Sequence, residues 1–293
     1  MNQTTVSATL SKINPLQLIK LAVYTLLVIN FGLYIVEDWS IAQHTLGPTS
    51  NFFDFTAAFA NTIDLTAWFT LLLLFELETY VLDDDDFTPR RVWLMHGVRL
   101  LCYIFLMHTL YAYSTGAYDL AKIEKVEGVS DLCVIADKEL TFVYNLEYTE
   151  LDSVNCATLS GPSQFSLIEP PDFLVVTNSA GLLIEKQLIW IDLLEALTWL
   201  LILFTIELNV RIQERGISKG VWITSLTYSK LMLYGLLWAA AGYWIYRGHY
   251  MYAWDEFVWI TGFVAIEMNM AKWREEINAA EESVQADIGA TNS

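Results

Sequence analysis

The chain has 293 residues, 55% of them hydrophobic, with 34 acidic against 16 basic side chains and a formal net charge of −18. Its mean hydropathy of +0.39 is too apolar for a soluble domain of this size and fits a multispanning membrane protein. The acidic balance excludes nucleic acid and anionic membrane surfaces, both of which require dense Lys and Arg. The expected partners are the lipid bilayer and other proteins of a membrane complex.

Residues 1–15 are polar and read as a cytoplasmic N-terminus. The apolar run that follows lacks a small-residue cleavage pattern, so it reads as an uncleaved anchor rather than a signal peptide. Six segments are long enough to cross about 30 Å of hydrocarbon: 16–36, 59–82, 92–114, 187–211, 222–246 and 253–273. Pro15 suits the first helical turn, and Tyr34-Ile-Val-Glu-Asp reads as the exit of the first helix. Asn61-Thr-Ile-Asp64 caps or enters the second. The run Asp83–Asp86 reads as a solvated turn. Short loops with Lys and Arg face the cytoplasm. These residues are Arg90 and Arg91, then Arg211, Arg215 and Lys219, and near the ends Lys12, Lys272 and Arg274. Both termini are therefore expected in the cytoplasm, with the chain in a bacterial inner membrane. The tail 275–293 is acidic and Ala-rich, and is expected to continue the last helix for a turn or two before fraying.

Residues 115–181 form the one sizeable piece between spans, separating helices 1–3 (16–114) from helices 4–6 (182–274). Leu132–Ile135, Leu140–Tyr144 and Phe173–Thr177 are rich in β-branched and aromatic residues and read as strands. About 65 residues make a marginal domain alone. Cys133 and Cys156 are its only cysteines, and on an oxidising side they are expected to form a disulfide. Cys102 falls mid-helix and reads as a small packing residue.

A pattern recurs three times. Lys20-Leu-x-x-Tyr24, Arg99-Leu-x-x-Tyr103 and Lys230-Leu-x-x-Tyr234 are each followed by an aromatic fourteen residues after the basic residue: Tyr34, Tyr113 and Trp244. The acidic arms Glu76-Leu-Glu78, Glu207-Leu-Asn209 and Glu267-Met-Asn269 each have another acid twelve residues earlier: Asp64, Glu195 and Asp255. Internal repeats of this kind mark membrane transport folds. The expected fold is all-α membrane: six transmembrane helices in three related hairpins, with a small β-containing extracytoplasmic subdomain between helices 3 and 4.

Charges inside a bilayer are expensive, about 2.5–3.5 kcal/mol for Arg, Lys or Asp at a helix centre, so they are expected to pair. Depth from the turns assigns Arg99 to Glu76, Lys230 to Glu207 and Lys20 to Glu267, leaving Glu78 over. Asp64, Glu195 and Asp255, with Asp192 and Glu256 beside them, would line the other mouth, or simply serve helix N-termini. None of the four His stands in a zinc or catalytic pattern, and no nucleophile, phosphate or dinucleotide motif is present. The chain therefore reads as a non-enzyme with no cofactor and no metal site. The function expected is a small transporter or channel-like protein for a cation, proton or small polar solute, gated by the charged layer. The alternative is a non-catalytic subunit or scaffold that binds partners through the outer subdomain and the acidic cytoplasmic ends.

Overall fold

The computed structural model describes residues 15–77, 88–126, 129–161, 164–168, 172–215, 217 and 219–291. The expected turn at Asp83–Asp86 and Glu78 lie outside them, as do the side chains of Lys20 and Glu76. The chain is mostly helical, and each of the six expected segments lies largely or wholly in helix wherever it is described. Among the described residues, three helices are long and apolar enough to cross a membrane, within Leu21–Thr45, Pro89–Asp119 and Ser179–Gln213. A fourth crossing is added if the bent pair Phe52–Ala58 and Ala60–Phe75 counts as one.

Helix α1 (Pro15–Thr45) runs nine residues beyond its expected end at 36. Nothing breaks it before Gly47-Pro48. Its buried residues Val23, Leu27, Asn30, Tyr34, Asp38 and Ala42 recur every three or four positions, so one continuous face includes the supposed exit. The turn that follows is tied down by Asp172, whose carboxylate accepts from the Thr49 hydroxyl at 2.5 Å and the Ser50 hydroxyl at 3.3 Å. Helix α2 (Phe52–Ala58) starts on a capping box. Asn51 Oδ1 accepts from Phe53 N at 2.8 Å, and Asp54 accepts from Asn51 N at 2.7 Å. At Phe59 the axis bends by 68° into α3 (Ala60–Glu76). The stretch 37–58, left between the first two expected spans, is thus mostly helix.

Helix α4 (Pro89–Asp119) opens with Thr88 as cap and Pro89 in its first turn. Cys102 is buried in it. The strands are β1 (Glu124–Lys125), β2 (Thr141–Tyr144), β3 (Glu147–Glu150), β4 (Phe165–Ile168) and β5 (Val175–Asn178), in sheet order β1-β4-β5-β2-β3. The β2–β3 hairpin turns on Asn145 and Leu146, both at positive φ. Phe142 and Val176 face a cluster with Leu132, Ile135, Phe165 and Cys156. Their neighbours Val143 and Val175 face the other side with Ile168.

The expected disulfide joins Cys133 to Cys156, on helix α5 (Cys156–Ser160), with Cα atoms 4.9 Å apart. Leu132–Ile135, expected as a strand, forms a 3-10 turn over Leu132–Val134. Asp131 caps that turn, and the disulfide anchors it.

Helix α6 (Ser179–Glu214) leads to α7 (Val221–Arg247) and α8 (Tyr250–Thr291). Gly248 ends α7 at φ 88°, a left-handed conformation that glycine adopts without a Cβ clash. The tail expected to fray is helical to Thr291. Its Ala and Glu residues are strong helix formers, and no glycine intervenes until Gly289. Contacts divide the chain into two units, 1–30 with 198–293, and 31–197.

Candidate functional site

In the unit of 1–30 and 198–293, apolar helices carry a short series of buried polar contacts. Inside it, Lys230 on α7 forms an ion pair with Glu267 on α8, Nζ to Oε2 at 2.5 Å. Their side chains are 7% and 20% exposed. Depth assigned Lys230 to Glu207 and Glu267 to Lys20; the observed pair instead joins two helices consecutive in the chain. The 248–249 turn that connects α7 to α8 brings their far ends to one level. Glu207 lies half-buried on α6, and Lys20 lies on α1 with its side chain outside the described residues.

Two polar atoms at this pair are left over. Glu267 Oε1 and the Tyr234 hydroxyl are both buried, and neither has a hydrogen-bond partner among the described residues. Tyr234 stands one helical turn after Lys230, within the electrostatic field of Glu267. On α6, Gln213 Nε2 donates to Asn209 Oδ1 at 3.4 Å, and both residues are buried.

The chain matches no known family model, no curated protein and no solved structure. The site's chemistry must therefore be read from its own residues.

Of the outer acids, Asp255 accepts from Asn30 Nδ2 at 2.9 Å, tying α8 to α1. Its neighbour Glu256 is buried and accepts from Trp199 Nε1 at 3.1 Å. Trp199 packs against Phe263 with ring centroids 5.2 Å apart. These contacts fix helix positions through buried polar groups.

The unit of 31–197 holds its own polar centre. Asp38, 2% exposed, accepts from Thr62 N at 2.8 Å, the Thr62 hydroxyl at 2.7 Å and Asn61 Nδ2 at 3.2 Å. Tyr113 on α4 donates to Asn61 Oδ1. The charges acting on Tyr113 are Asp192, Asp64, Asp38 and Glu195, so two of the expected outer acids, Asp64 and Glu195, share one neighbourhood. Asp38 was missed because Glu37-Asp38 resembles a helix exit. The signal that finds it is the Asn30, Tyr34, Asp38 spacing on the buried face of α1. Further along the α3–α4 hairpin, Arg99 sits over the Phe75 ring at 5.2 Å, beside Glu76 in sequence. His108 Nε2 meets the Thr56 hydroxyl at 2.9 Å. No cluster of three or more His, Cys, Asp or Glu suited to a metal ion occurs among the described residues.

Proposed function

We propose that the chain is a multi-pass inner-membrane transport protein for a cation, proton or small polar solute. In this reading it has six spans in three related hairpins, both termini are cytoplasmic, and the charged positions of the hairpins form the gate. The observation that carries it is the Lys230–Glu267 pair among apolar helices, with a buried carboxylate oxygen and a buried phenol left over. Charges serving only as glue are stabilising when every donor and acceptor is satisfied; a half-satisfied network is worse than an apolar contact. Buried polar groups without partners mark places where water, an ion or a substrate belongs. The recurrence of the basic residue and its tyrosine at Lys20/Tyr24 on α1, Arg99/Tyr103 on α4 and Lys230/Tyr234 on α7 supports the three-hairpin reading.

The test is flux in proteoliposomes. Wild type is expected to move ions or solute, and Lys230→Gln and Glu267→Gln to lose that movement. Breaking a buried pair destabilises by about 3–5 kcal/mol, so the double variant Lys230→Gln/Glu267→Gln separates folding from function. It is expected to recover stability without recovering flux. A silent wild type, with single variants that only unfold, would sink the transport reading.

One observation favours the second reading, a non-catalytic subunit. Val134 and Val154 flank the Cys133–Cys156 bridge and are exposed on the sheet subdomain. An apolar surface there suits a protein partner.

A further inference from the structure

We infer that the species handled at the Lys230–Glu267 pair is a proton, relayed through a water held between Glu267 Oε1 and the Tyr234 hydroxyl. The inference rests on the transport reading and narrows its substrate class.

The charge balance of the site argues against larger ions. Among the described residues it pairs one ammonium with one carboxylate, 2.5 Å apart. A metal cation arriving at Glu267 meets the Lys230 ammonium on the same carboxylate, and no metal-binding cluster lies among the described residues. An anion arriving at Lys230 meets Glu267. A proton alone can join the pair without bringing a competing ionic shell.

The leftover atoms have the right chemistry. A carboxylate oxygen accepts, and a phenol both donates and accepts. Two buried polar atoms with no hydrogen-bond partner among the described residues make a site for one bridging water, which needs two or more polar contacts to be held. Among the described residues, Lys230 and Tyr234, both from α7, engage Glu267. In the relay, a protonated water gives its extra proton to Glu267 Oε1. One water O–H bond breaks and one carboxyl O–H bond forms. The neutral acid then holds the Lys230 ammonium less strongly. Loss of the proton to a second water reverses the step and restores the pair. No oxidant or other reactant is required.

Tyr234 acts here as a positioning residue, which gives a clean test. Tyr234→Phe removes only a hydroxyl without a described partner, so the fold is expected to keep or gain stability. The experiment uses the full chain in liposomes with an entrapped pH dye, driven by a potassium gradient with valinomycin. Parallel samples read thallium entry. Wild type is expected to acidify the lumen, Glu267→Gln to fall to the empty-liposome rate, and Tyr234→Phe to slow proton entry about tenfold, the scale of one net hydrogen bond. Wild-type flux in Tyr234→Phe would overturn the relay. Thallium or solute flux with proton entry no faster than in empty liposomes would overturn the proton inference and leave transport standing. A wild type that moves nothing would overturn both.

Discussion

At the residue scale, Asp131 ties the Leu132–Val134 turn to α5 with a single oxygen. Its Oδ1 accepts from Cys133 N at 2.8 Å and from the Ser160 hydroxyl at 2.8 Å, and that hydroxyl in turn accepts from Leu132 N at 2.7 Å. The Cys133 N–H first, and the Ser160 hydroxyl second, hold the Asp131 carboxyl below its ordinary value. A carboxyl held low in the folded state stabilises above its unfolded pKa, near 3.9. That stabilisation is lost as pH falls through the folded value. The wild-type 132–160 segment is therefore expected to become more protease-sensitive below about pH 4. Asp131→Asn keeps an acceptor but no titration, so its sensitivity should be flat across the same range. Limited proteolysis at pH 3 and pH 5 checks this. Equal acid sensitivity in both proteins would assign the transition to other carboxylates.

At the element scale, the disulfide fastens the Leu132–Val134 turn to α5 across a sequence separation of 23. In the chain-entropy model a loop of this size contributes about 3 kcal/mol. Cys133→Ala/Cys156→Ala is expected to lose about that much, read as earlier unfolding of the sheet in denaturant. Unchanged unfolding would mean that the cluster around Leu132, Phe142 and Phe165 suffices alone. The same elements show which features could be read from sequence. The helices, the Leu140–Tyr144 and Phe173–Thr177 strand regions and the cysteine pairing follow from apolar runs and from the scarcity of cysteines. The Leu132–Ile135 run looks like a strand by composition and is bent by a cap and a cross-link, which are tertiary facts. The end of α1 was read too early because charge suggested water, whereas Asp38 is answered by Asn61 and Thr62, 23 and 24 residues away. Strand β3, with Glu147 and Glu150 at its ends, carries too little apolar pattern to be seen in sequence. Lys230 and Glu267 could be singled out in sequence, but not their pairing with each other. Depth along a helix gives a residue's level, and helix adjacency decides which partner it meets there.

At the scale of the whole molecule, the number of crossings turns on α7 and α8. Length is no obstacle: α7 has 27 residues, about 40 Å at the α-helical rise, against about 30 Å of hydrocarbon. Neither is apolar enough to count as a candidate span by itself. In α7, Trp and Tyr residues lower the hydropathy although such rings suit the membrane boundary. Lys230 adds a charge whose insertion alone costs about 2.5–3.5 kcal/mol. That cost belongs to an isolated helix. In the folded chain the ammonium faces Glu267 at 2.5 Å, so α7 and α8 would enter a bilayer at lower cost as a pair than singly. If the pair crosses, the two ends of α7 lie on opposite sides. Lys219→Cys and Tyr250→Cys, both at exposed positions, are then expected to react with an impermeant maleimide from opposite faces of sealed vesicles, with Cys102 replaced by Ala. Labelling of both from one face would place the α7–α8 hairpin on the surface and reduce the chain to the crossings its apolar helices supply alone.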